Sequence, residues 1–488
     1  MNGCQGSLEM EYRVEKDLLG EAKVPQEARY GIHTVRALSN FAVSGIPVHY
    51  ALIKAMAQVK EAAAQANMNA GLLERSIGTA IIQAAVEIAR GELADQFPVD
   101  AFQGGAGTST NMNVNEVIAN RAIEIVGGRK GDYDLVDPLL HVNLSQSTND
   151  VYPTALRVAA IGLVLELSDS LAALQTELQK KEAEFAGILK LGRTEMQDAV
   201  PVTLGQEFSA FAEAIARDRW RLYKVEERLR QVNLGGTAVG TGLNAEPSYI
   251  YSVVEELRAI TGLGLARAEN TIDLTQNADV FAEVSGLLKA AAVNLAKIAG
   301  DLRVLSSGPL GGLAEIRLPE LQAGSSIMPG KVNPVIPEMV TQVALQVMGN
   351  DQVIAAAAAA GQLELNAFLP LIAHNLLHSL EMLINVVNLF TTHCIQGIQA
   401  NPDRCHRWLE ESHSFITALT PYLGYDAAAD LTKRALHEGK QLKEVLLASG
   451  LFTEEELNAV FTPGQLTRPG VAGAKFLKKR GNRSEGQS

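Results

Sequence analysis

The chain has 488 residues, of which 47% are hydrophobic, and carries a formal net charge of −13 at pH 7. This length predicts about three domains, or one long helical assembly with smaller additions, and the hydrophobic content suffices for a large core. The acidic balance argues against nucleic acid as a partner, and the lack of an eighteen-residue apolar run or of a signal-peptide pattern in residues 1–11 predicts a soluble, cytoplasmic protein with no membrane partner.

The first part of the chain is predicted to be an irregular arm followed by helices. Between residues 12 and 45 the sequence has Pro25, Gly31 and short polar stretches without a sustained period. From Leu52 onward, apolar residues recur at helical spacing in alanine-rich segments. Helices are therefore predicted over 52–69, 74–93 and 111–127.

The longest helical pattern runs from Thr154 to Leu189, with Pro153 placed in its first turn. A helix of this length would span ~54 Å, more than an ordinary helix of a globular domain. Similar patterns occupy 206–232, 276–305, 338–360 and 368–399, so we expect about five long helices. Such helices carry more apolar surface than one chain can cover, which predicts an oligomeric bundle.

After Asn401-Pro402 the helical segments become shorter. They are predicted over 403–413, 427–438, 441–449 and 453–461, and a tail rich in glycine and charge, from Thr467, is expected to fray. The predicted domains are 1–147, helical with the irregular arm; 148–402, the long-helix bundle; and 403–488, a small helical C-terminal domain. The fold class is therefore predicted to be all-α.

One loop, 324–334, combines two adjacent hydroxyls, an ammonium and an amide, supplied by Ser325, Ser326, Lys331 and Asn333. Two glycines and two prolines keep it from being helix or strand, and a helical pattern opens at Pro337. A helix N-terminus favours an anion, so a serine there could lose its proton more easily than in water. The alternatives are a flexible surface loop and a phosphate-binding loop, but the latter requires a Ser or Thr where Val332 stands.

Three more loops are rich in hydroxyl and amide groups next to predicted helix ends: 104–111, 145–150 and 192–198. Each could be a helix cap. Four such loops together favour a site for a small molecule with two carboxylates, with four unrelated caps as the alternative. Thr148 and Thr194 flank the long helix, about 50 Å apart if it is straight, so a site that uses both must be built from several subunits.

The segment 324–334 resembles the signature of the aspartase/fumarase superfamily, whose members eliminate fumarate from their substrates. The segments 104–115, 145–150 and 192–208 resemble the other motifs of this family in the same order, and the likeness extends from about Glu15 to Pro469. The resemblance implies a three-domain helical subunit in a homotetramer, with a central bundle of twenty helices and active sites drawn from three subunits each.

By position in these motifs, the resemblance implies that Ser325 is the general base, which removes a Cβ proton and is carried on a mobile loop. It assigns the α-carboxylate to Thr194, Lys331 and Asn333, the β-carboxylate to Thr108, Ser147, Thr148 and Ser326, and the leaving group to Asn149. Donors around the β-carboxylate would stabilise an aci-carboxylate intermediate, as an oxyanion hole does. No cofactor or catalytic-metal cluster is apparent, and Cys4, Cys394 and Cys405 lack metal-ligand spacing.

The substrate is predicted to be L-aspartate, converted to fumarate and ammonia. Leu321-Gln322-Ala323 resembles aspartate ammonia-lyases, and 138–143 lacks the His-Pro-Asn-Asp-Asp-Val-Asn run typical of fumarases. Glu195 stands where fumarases have histidine and aspartases have glutamine or histidine. Its carboxylate is predicted to face the substrate ammonium, and the alternative is that it turns outward and pairs with Arg193 or another cation. Fumarate hydratase is the alternative activity.

Two further alternatives stay open. Lyases that act on nucleotides or argininosuccinate share the Ser-Ser loop but would need additional contacts. A catalytically impaired structural or binding homologue is also compatible, because Glu195 and Leu310 depart from the family pattern, which commonly has arginine at position 310. His33 and His141 are expected to be structural.

Overall fold

The computed structural model of the chain describes residues 11–475. It is mostly helical, with 62% helix and few strands, so the prediction of a helical fold is confirmed at that level. Cys394 and Cys405 are buried free thiols, and burial raises the pKa of each to about 12. Cys4 lies outside the described residues.

The helices follow the predicted order. Before the longest helix come Ile32–Asn40 (α1), Tyr50–Asn69 (α2), Arg75–Arg90 (α3) and Thr108–Ile125 (α4). The middle of the chain forms Thr148–Glu184 (α5), Leu204–Tyr223 (α6), Val225–Leu229 (α7), Pro247–Thr261 (α8), Thr271–Gln276 (α9), Asp279–Leu305 (α10), Val335–Ala359 (α11) and Leu369–His393 (α12). All five long segments predicted from the sequence therefore contain a long helix: α5, α6, α10, α11 and α12.

The C-terminal segments are short helices, as predicted. They are Pro402–Glu411 (α13), Ile416–Leu423 (α14), Tyr425–Glu438 (α15), Leu442–Ala448 (α16), Glu454–Val460 (α17) and Pro463–Leu466 (α18). Leu419, Leu442, Leu446 and Leu457 form a common buried cluster, and each buried leucine contributes ~1.5–3 kcal/mol to folding. The predicted fraying tail lies partly outside the described residues, which end at 475.

The prediction of an irregular stretch over 12–45 is wrong for most of its length. Tyr12–Asp17 (β1) and Gly20–Pro25 (β2) form an antiparallel hairpin, and α1 follows it. Strand β1 lacks an apolar alternation because its buried residue is Glu15, which pairs with Arg13 at 2.7 Å. A charged pair in place of a valine removes the signal by which a strand is predicted.

The other strands also pair, so that residues 11–475 contain four two-stranded sheets including the β1–β2 hairpin. Leu189–Thr194 (β3) pairs with Gln197–Thr203 (β4) antiparallel, Gln231–Val232 (β5) with Ala266–Arg267 (β6) parallel, and Ile316–Arg317 (β7) with Gln399–Ala400 (β8) antiparallel. The long helix therefore ends at Glu184, before Gly187, rather than at the predicted Leu189.

The start of α5 differs from the prediction as well. The helix begins at Thr148, so Pro153 lies inside it rather than in its first turn. Proline has no N–H to give to the carbonyl four residues earlier, which belongs to Asn149. Nδ2 of Asn233 donates to that carbonyl at 3.0 Å, so a side chain replaces the missing backbone bond and the helix continues.

The described residues divide into two compact units. The first comprises 11–169, 218–292 and 343–385, and the second comprises 170–217, 293–342 and 386–475. In the first unit α2 packs against α3 and α8. Its face of fully buried side chains includes Leu52, Met56, Val59 and Ala63, at the spacing that places side chains on one side of a helix.

By length and composition α5 could cross a membrane, the one helix within residues 11–475 of which this is true. Half of its most apolar window is buried within the protein. A buried core helix of a helical bundle has the same length and apolar composition as a membrane span. One such helix is therefore weak evidence that the chain crosses a membrane.

Candidate active site

The predicted loop 104–111 leads into α4 through a left-handed glycine. Gly107 has φ 95°, and a Cβ added there would lie 2.2 Å from the ring of Tyr152. Only glycine satisfies both the backbone angle and this close approach. Thr108 is the first residue of α4 and is exposed, and its Oγ1 donates to the carbonyl of Gly105 at 2.8 Å.

The loop 145–150 is joined to α4 at the start of α5. Nδ2 of Asn111 donates to Oγ1 of Thr148 at 3.0 Å, and Ser147 Oγ accepts from the backbone N–H of Asn149 at 3.2 Å. The amide of Asn149 donates to the carbonyl of Ala238 at 2.7 Å. The first unit thus holds Ser147, Thr148 and Asn149 together at one helix N-terminus, with Thr148 tied to the helix that Thr108 opens.

A buried carboxylate organises this helix start. Asp150 is fully buried; one of its oxygens accepts the N–H of Ser147 at 2.9 Å, and the other accepts those of Gly235 and Thr237 at 3.1 and 3.0 Å. Burial raises its pKa to about 6, although these hydrogen bonds act in the opposite direction. Asp150 therefore ties the backbone of Ser147 to that of Gly235 and Thr237.

A buried lysine supports the same loop from α2. Lys60 is fully buried, and its Nζ donates to Oδ1 of Asn143 and to Oε1 of Gln146, both at 2.9 Å. Asn143 Oδ1 also accepts from the amides of Asn111 and Asn115, each at 3.2 Å. Burial lowers the pKa of Lys60 to about 7. A polar network thus lies directly behind the predicted carboxylate-binding hydroxyls.

In the second unit, the loop 324–334 points two backbone donors at one serine. Oγ of Ser325 accepts from the N–H of Ile327 at 3.2 Å and of Met328 at 2.9 Å. The loop is closed at its base because Gly324 N donates to the Lys331 carbonyl at 2.8 Å. Helix α11 begins at Val335, so the predicted helix N-terminus after the loop is present.

The other polar side chains of this loop differ in exposure and in hydrogen bonding. Ser326 and Lys331 are exposed, whereas the amide of Asn333 donates to the carbonyl of Gly324 at 2.8 Å. Beside the loop lies a cavity of about 870 Å³ that Lys331 and Asn333 help to line. Its charged lining residues are Arg303, Arg317, Glu320, Lys331 and Arg404, so its field favours an anion.

Thr194 and Glu195 lie at the tip of the β3–β4 hairpin. Thr194 pairs with Gln197, and the two residues between them, Glu195 and Met196, have φ 52° and 62°. Both are exposed. Arg193, the alternative partner proposed for Glu195, instead contacts the buried carboxylate of Glu315 at 2.9 Å.

The base of the hairpin is held by a buried charge cluster. Nζ of Lys190 lies 2.7 Å from Glu207 and 3.1 Å from the Glu315 carboxylate that also binds Arg193. Lys190 is 1% exposed. Because an uncompensated charge there would be costly, the cluster fixes the strand that carries Thr194.

The sequence matches known protein families and relatives over most of its length. The lyase family matches residues 20–349, and the C-terminal domain of fumarase C matches residues 415–468. The aspartate ammonia-lyase of a Bacillus species is 50% identical over 463 residues, which cover 95% of this chain and 99% of the relative. The chain belongs to the lyase family.

Further relatives of known sequence or structure are similar to this chain over most of its length. The aspartate ammonia-lyase of Escherichia coli (strain K12) is 44% identical, with 95% of this chain and 98% of the relative covered. A fumarate lyase:delta crystallin from Brucella melitensis, solved bound to cobalt, is 48% identical with a TM-score of 0.89 and coverages of 92% and 98%. The class II fumarase of Schistosoma mansoni is 36% identical with a TM-score of 0.87, covering 94% and 100%. The predicted aspartase/fumarase resemblance is confirmed.

The predicted site residues of this lyase fall into two sets. Those in the first unit are Thr108, Ser147, Thr148 and Asn149, and those in the second are Thr194, Glu195, Ser325, Ser326, Lys331 and Asn333. Within the first set, hydrogen bonds join two helix starts through Asn111. Within the second, Ser325, Ser326, Lys331 and Asn333 share one loop.

Sequence reasoning missed Lys60 and the arginines of the cavity. Lys60 follows Leu52 and Met56 at intervals of four, so a lysine on the apolar face of a predicted helix was the available signal. Arg404 donates to the carbonyls of Leu310 and Gly312 at 3.2 and 3.3 Å, a contact that no local pattern indicates. It holds the segment around the unusual Leu310, whose side chain is exposed.

The two histidines expected to be structural, His33 and His141, both contact residues of the first unit. Nδ1 of His141 accepts from the backbone N–H of Asp137 at 2.9 Å. The backbone N–H of His33 donates to the buried carboxylate of Glu116 at 2.8 Å, and burial lowers the pKa of the His33 ring. The ring of His141 thus has a hydrogen-bond partner, whereas the His33 bond is made by its backbone, and a structural role stays a prediction for both residues.

Proposed function

We propose that this lyase eliminates ammonia reversibly from L-aspartate to give fumarate, with Ser325 as the general base. The observation that carries the proposal is the pair of N–H groups, of Ile327 and Met328, that donate to Ser325 Oγ. Donors aimed at this oxygen favour the alkoxide, the form in which serine can accept a Cβ proton. The aspartate ammonia-lyases that are 50% and 44% identical support the choice of substrate.

The chemical difficulty is the charge that develops when the proton leaves. Removal of a proton next to a carboxylate places a second negative charge on that carboxylate, giving the aci-carboxylate intermediate. Thr108, Ser147, Thr148 and Ser326 would donate to it, and one such fixed donor is worth ~3 kcal/mol in a transition state. The buried network of Lys60 and Asp150 keeps the first-unit donors in place.

The α-carboxylate is assigned to Thr194, Lys331 and Asn333, and Asn149 to the leaving group. The Asn333 amide donates to the carbonyl of Gly324 and the Asn149 amide to that of Ala238. Substrate binding therefore exchanges an internal hydrogen bond for one to the ligand at both positions. Movement of the 324–334 loop on binding would provide the exchange at Asn333.

Glu195 is proposed to recognise the ammonium of aspartate. Its exposed carboxylate at the hairpin tip would attract the cation by ~4 kcal/mol at 4 Å and an effective dielectric near 20, before desolvation. We expect Glu195→Gln to raise KM for aspartate about tenfold with a smaller change in kcat. An unchanged KM in steady-state measurements would assign Glu195 to an outward-facing structural role.

The active protein is proposed to be a cytoplasmic homotetramer of three-domain subunits, with a twenty-helix core and sites shared between subunits. Helix α5, with 37 residues, supports this because it extends ~55 Å. Thr148 begins this helix and Thr194 follows its other end. One aspartate cannot reach both within a single straight-helix subunit.

The deciding experiment follows fumarate absorbance with the purified chain, offered L-aspartate and L-malate in separate reactions. We expect fumarate from aspartate and at least a hundredfold less from malate. Formation from malate alone would identify a fumarate hydratase. Formation from neither, by a correctly folded tetramer, would identify a noncatalytic homologue.

A further inference from the structure

Three histidines and a glutamate lie together in the first unit, in a group that the proposed reaction does not use. His49 precedes the first turn of α2. His374, His378 and Glu381 lie on one face of α12, at intervals of four and three residues. This histidine cluster joins the start of one helix to the face of another.

The ligand atoms of three members already lie close together. Nε2 of His49 is 3.3 Å from Oε2 of Glu381, and Nδ1 of His378 is 3.9 Å from the same oxygen. One ligand atom from each residue lies within 4.8 Å of the other two. In a tetrahedral site with bonds of ~2.0–2.2 Å, neighbouring ligand atoms are separated by roughly 3.3 Å. Two of the distances are therefore at or near those of a metal site.

We propose that His49, His378 and Glu381 form a binding site for a divalent transition-metal ion of the Zn²⁺ or Co²⁺ type. Two imidazoles and a carboxylate are a ligand set that such ions accept, whereas Mg²⁺ and Ca²⁺ prefer oxygen ligands alone. Glu381 is half exposed, so solvent water has access to the fourth position. The proposal is independent of the lyase reaction.

Packed rings surround the proposed ligand His378. The ring of His374 packs against that of His378 at 4.6 Å between centroids, and Phe102 packs against His374 at 5.2 Å. These packed rings restrict the orientation of the His378 side chain, so it loses less conformational entropy when it binds an ion.

Metal binding requires one rearrangement. Nδ1 of His49 accepts from the N–H of Ala51 at 3.2 Å, so the neutral ring carries its proton on Nε2, facing Glu381. A metal on Nε2 moves that proton to Nδ1 and breaks the contact with the Ala51 N–H, so binding costs one hydrogen bond at a side chain that is only 9% exposed. The ion thus substitutes for the proton that now lies between His49 and Glu381.

A bound ion would stiffen the approach to the Thr108 loop. A small cavity beside the cluster is lined by His49, Ala101, Tyr152 and His374, among others. Tyr152 is the ring against which Gly107 packs. The ion would cross-link α2 to α12 around this cavity, which makes it a structural or regulatory metal rather than a catalytic one.

The test is a calorimetric titration of the chelator-treated full chain with Zn²⁺ and with Co²⁺. We expect one ion per chain, and with Co²⁺ the visible absorption of a four- or five-coordinate site. His49→Gln, His378→Gln and Glu381→Gln should each weaken binding at least tenfold. His374→Gln is the matched control, because it changes a neighbouring histidine whose nitrogens are not among the three proposed ligands; we expect it to weaken binding less than threefold.

Three outcomes would overturn the proposal: no binding at equimolar protein and metal, equal affinity in all four variants, or a thiolate-to-cobalt charge-transfer band. The last would assign the ion to a cysteine. Circular dichroism of each variant establishes that it is folded, and a Zn²⁺-dependent rise in the thermal midpoint of the unaltered chain, lost in Glu381→Gln, gives a readout that does not depend on enzyme activity.

Discussion

Ser325 gains its proposed basicity from the loop that carries it. Its hydroxyl oxygen accepts two backbone N–H groups from residues two and three positions later, which the turn of the loop places on one side of the oxygen. A hydroxyl that accepts two donors still has its proton free for transfer. The two N–H groups would therefore stabilise the proposed alkoxide without fixing the proton.

Replacement of this oxygen should separate catalysis from folding. We expect Ser325→Ala to lower kcat for aspartate by more than a thousandfold, because no other group of the loop is proposed as a base. The half-buried side chain contributes little packing, so the thermal midpoint and the elution volume should stay unchanged. Activity within tenfold of the unaltered chain would remove Ser325 from the role of base.

Lys60 lies behind the loop that carries the proposed carboxylate-binding residues Ser147 and Thr148. Its ammonium is fully buried and contacts Asn143 and Gln146, which precede Ser147 and Thr148 in the chain. Desolvation of the charge opposes folding, whereas its two hydrogen bonds order the loop. A residue of this kind favours activity at the expense of stability.

Lys60→Met keeps the length of the side chain and removes the charge. We expect kcat/KM for aspartate to fall at least tenfold, which corresponds to ~1.4 kcal/mol, with a thermal midpoint that stays the same or rises. Lys54→Met, at an exposed position of the same helix, should leave both unchanged. A fall in stability with unchanged kcat/KM would give Lys60 a purely structural role.

At the scale of single elements, the β3–β4 hairpin carries strain at its tip. Glu195 and Met196 both have positive φ, as a two-residue turn of type I′ requires, and neither is a residue that adopts this conformation readily. Met196 is 68% exposed, so its side chain does not compensate by packing.

Met196→Gly should therefore stabilise the hairpin by ~1 kcal/mol, because glycine adopts the left-handed region without steric cost. Differential scanning calorimetry would register a higher midpoint for the transition that includes this hairpin. Ala199→Gly, in the extended backbone of β4, serves as the control and should destabilise it. A lower midpoint for Met196→Gly would mean that the methionine makes a stabilising contact.

The long helices show how far a repeating pattern can predict an element. Alanine-rich segments with apolar residues at helical spacing predicted α2, α10 and α11 to within three residues at each end. The start of α5 was misjudged by six residues, because the helix continues through Pro153 only with the help of Asn233. Asn233 lies eighty residues after Pro153, so no pattern in the sequence near the proline indicates this hydrogen bond.

At the scale of the whole molecule, the predicted site is divided between the two units of the chain. The donors for the β-carboxylate at 108 and 147–148 belong to the first unit, and the base and the groups for the α-carboxylate to the second. Assembly into a tetramer is the proposed means by which one site receives all of them. Activity should then depend on contacts between chains.

Subunit mixing tests this division directly. Thr108→Ala and Ser325→Ala should each be almost inactive, since loss of one donor costs ~10²–10³-fold in rate. If the two residues of one site come from different chains, dissociation and reassociation of an equal mixture should restore about a quarter of the activity. If both come from one chain, every mixed site is defective and no activity returns.

The sequence by itself determined the helical class, the positions of the long helices and the lyase family, because helical periodicity and the order of four loop motifs are local properties of the chain. Only the tertiary structure decided the hairpin at β1 and β2, the burial of Lys60 behind the 143–149 loop and the grouping of His49 with α12. In the hairpin a local charged pair, Arg13 and Glu15, takes the buried position of β1, whereas Lys60 and His49 meet partners distant in sequence. Neither kind of contact leaves an apolar period for sequence reasoning to detect.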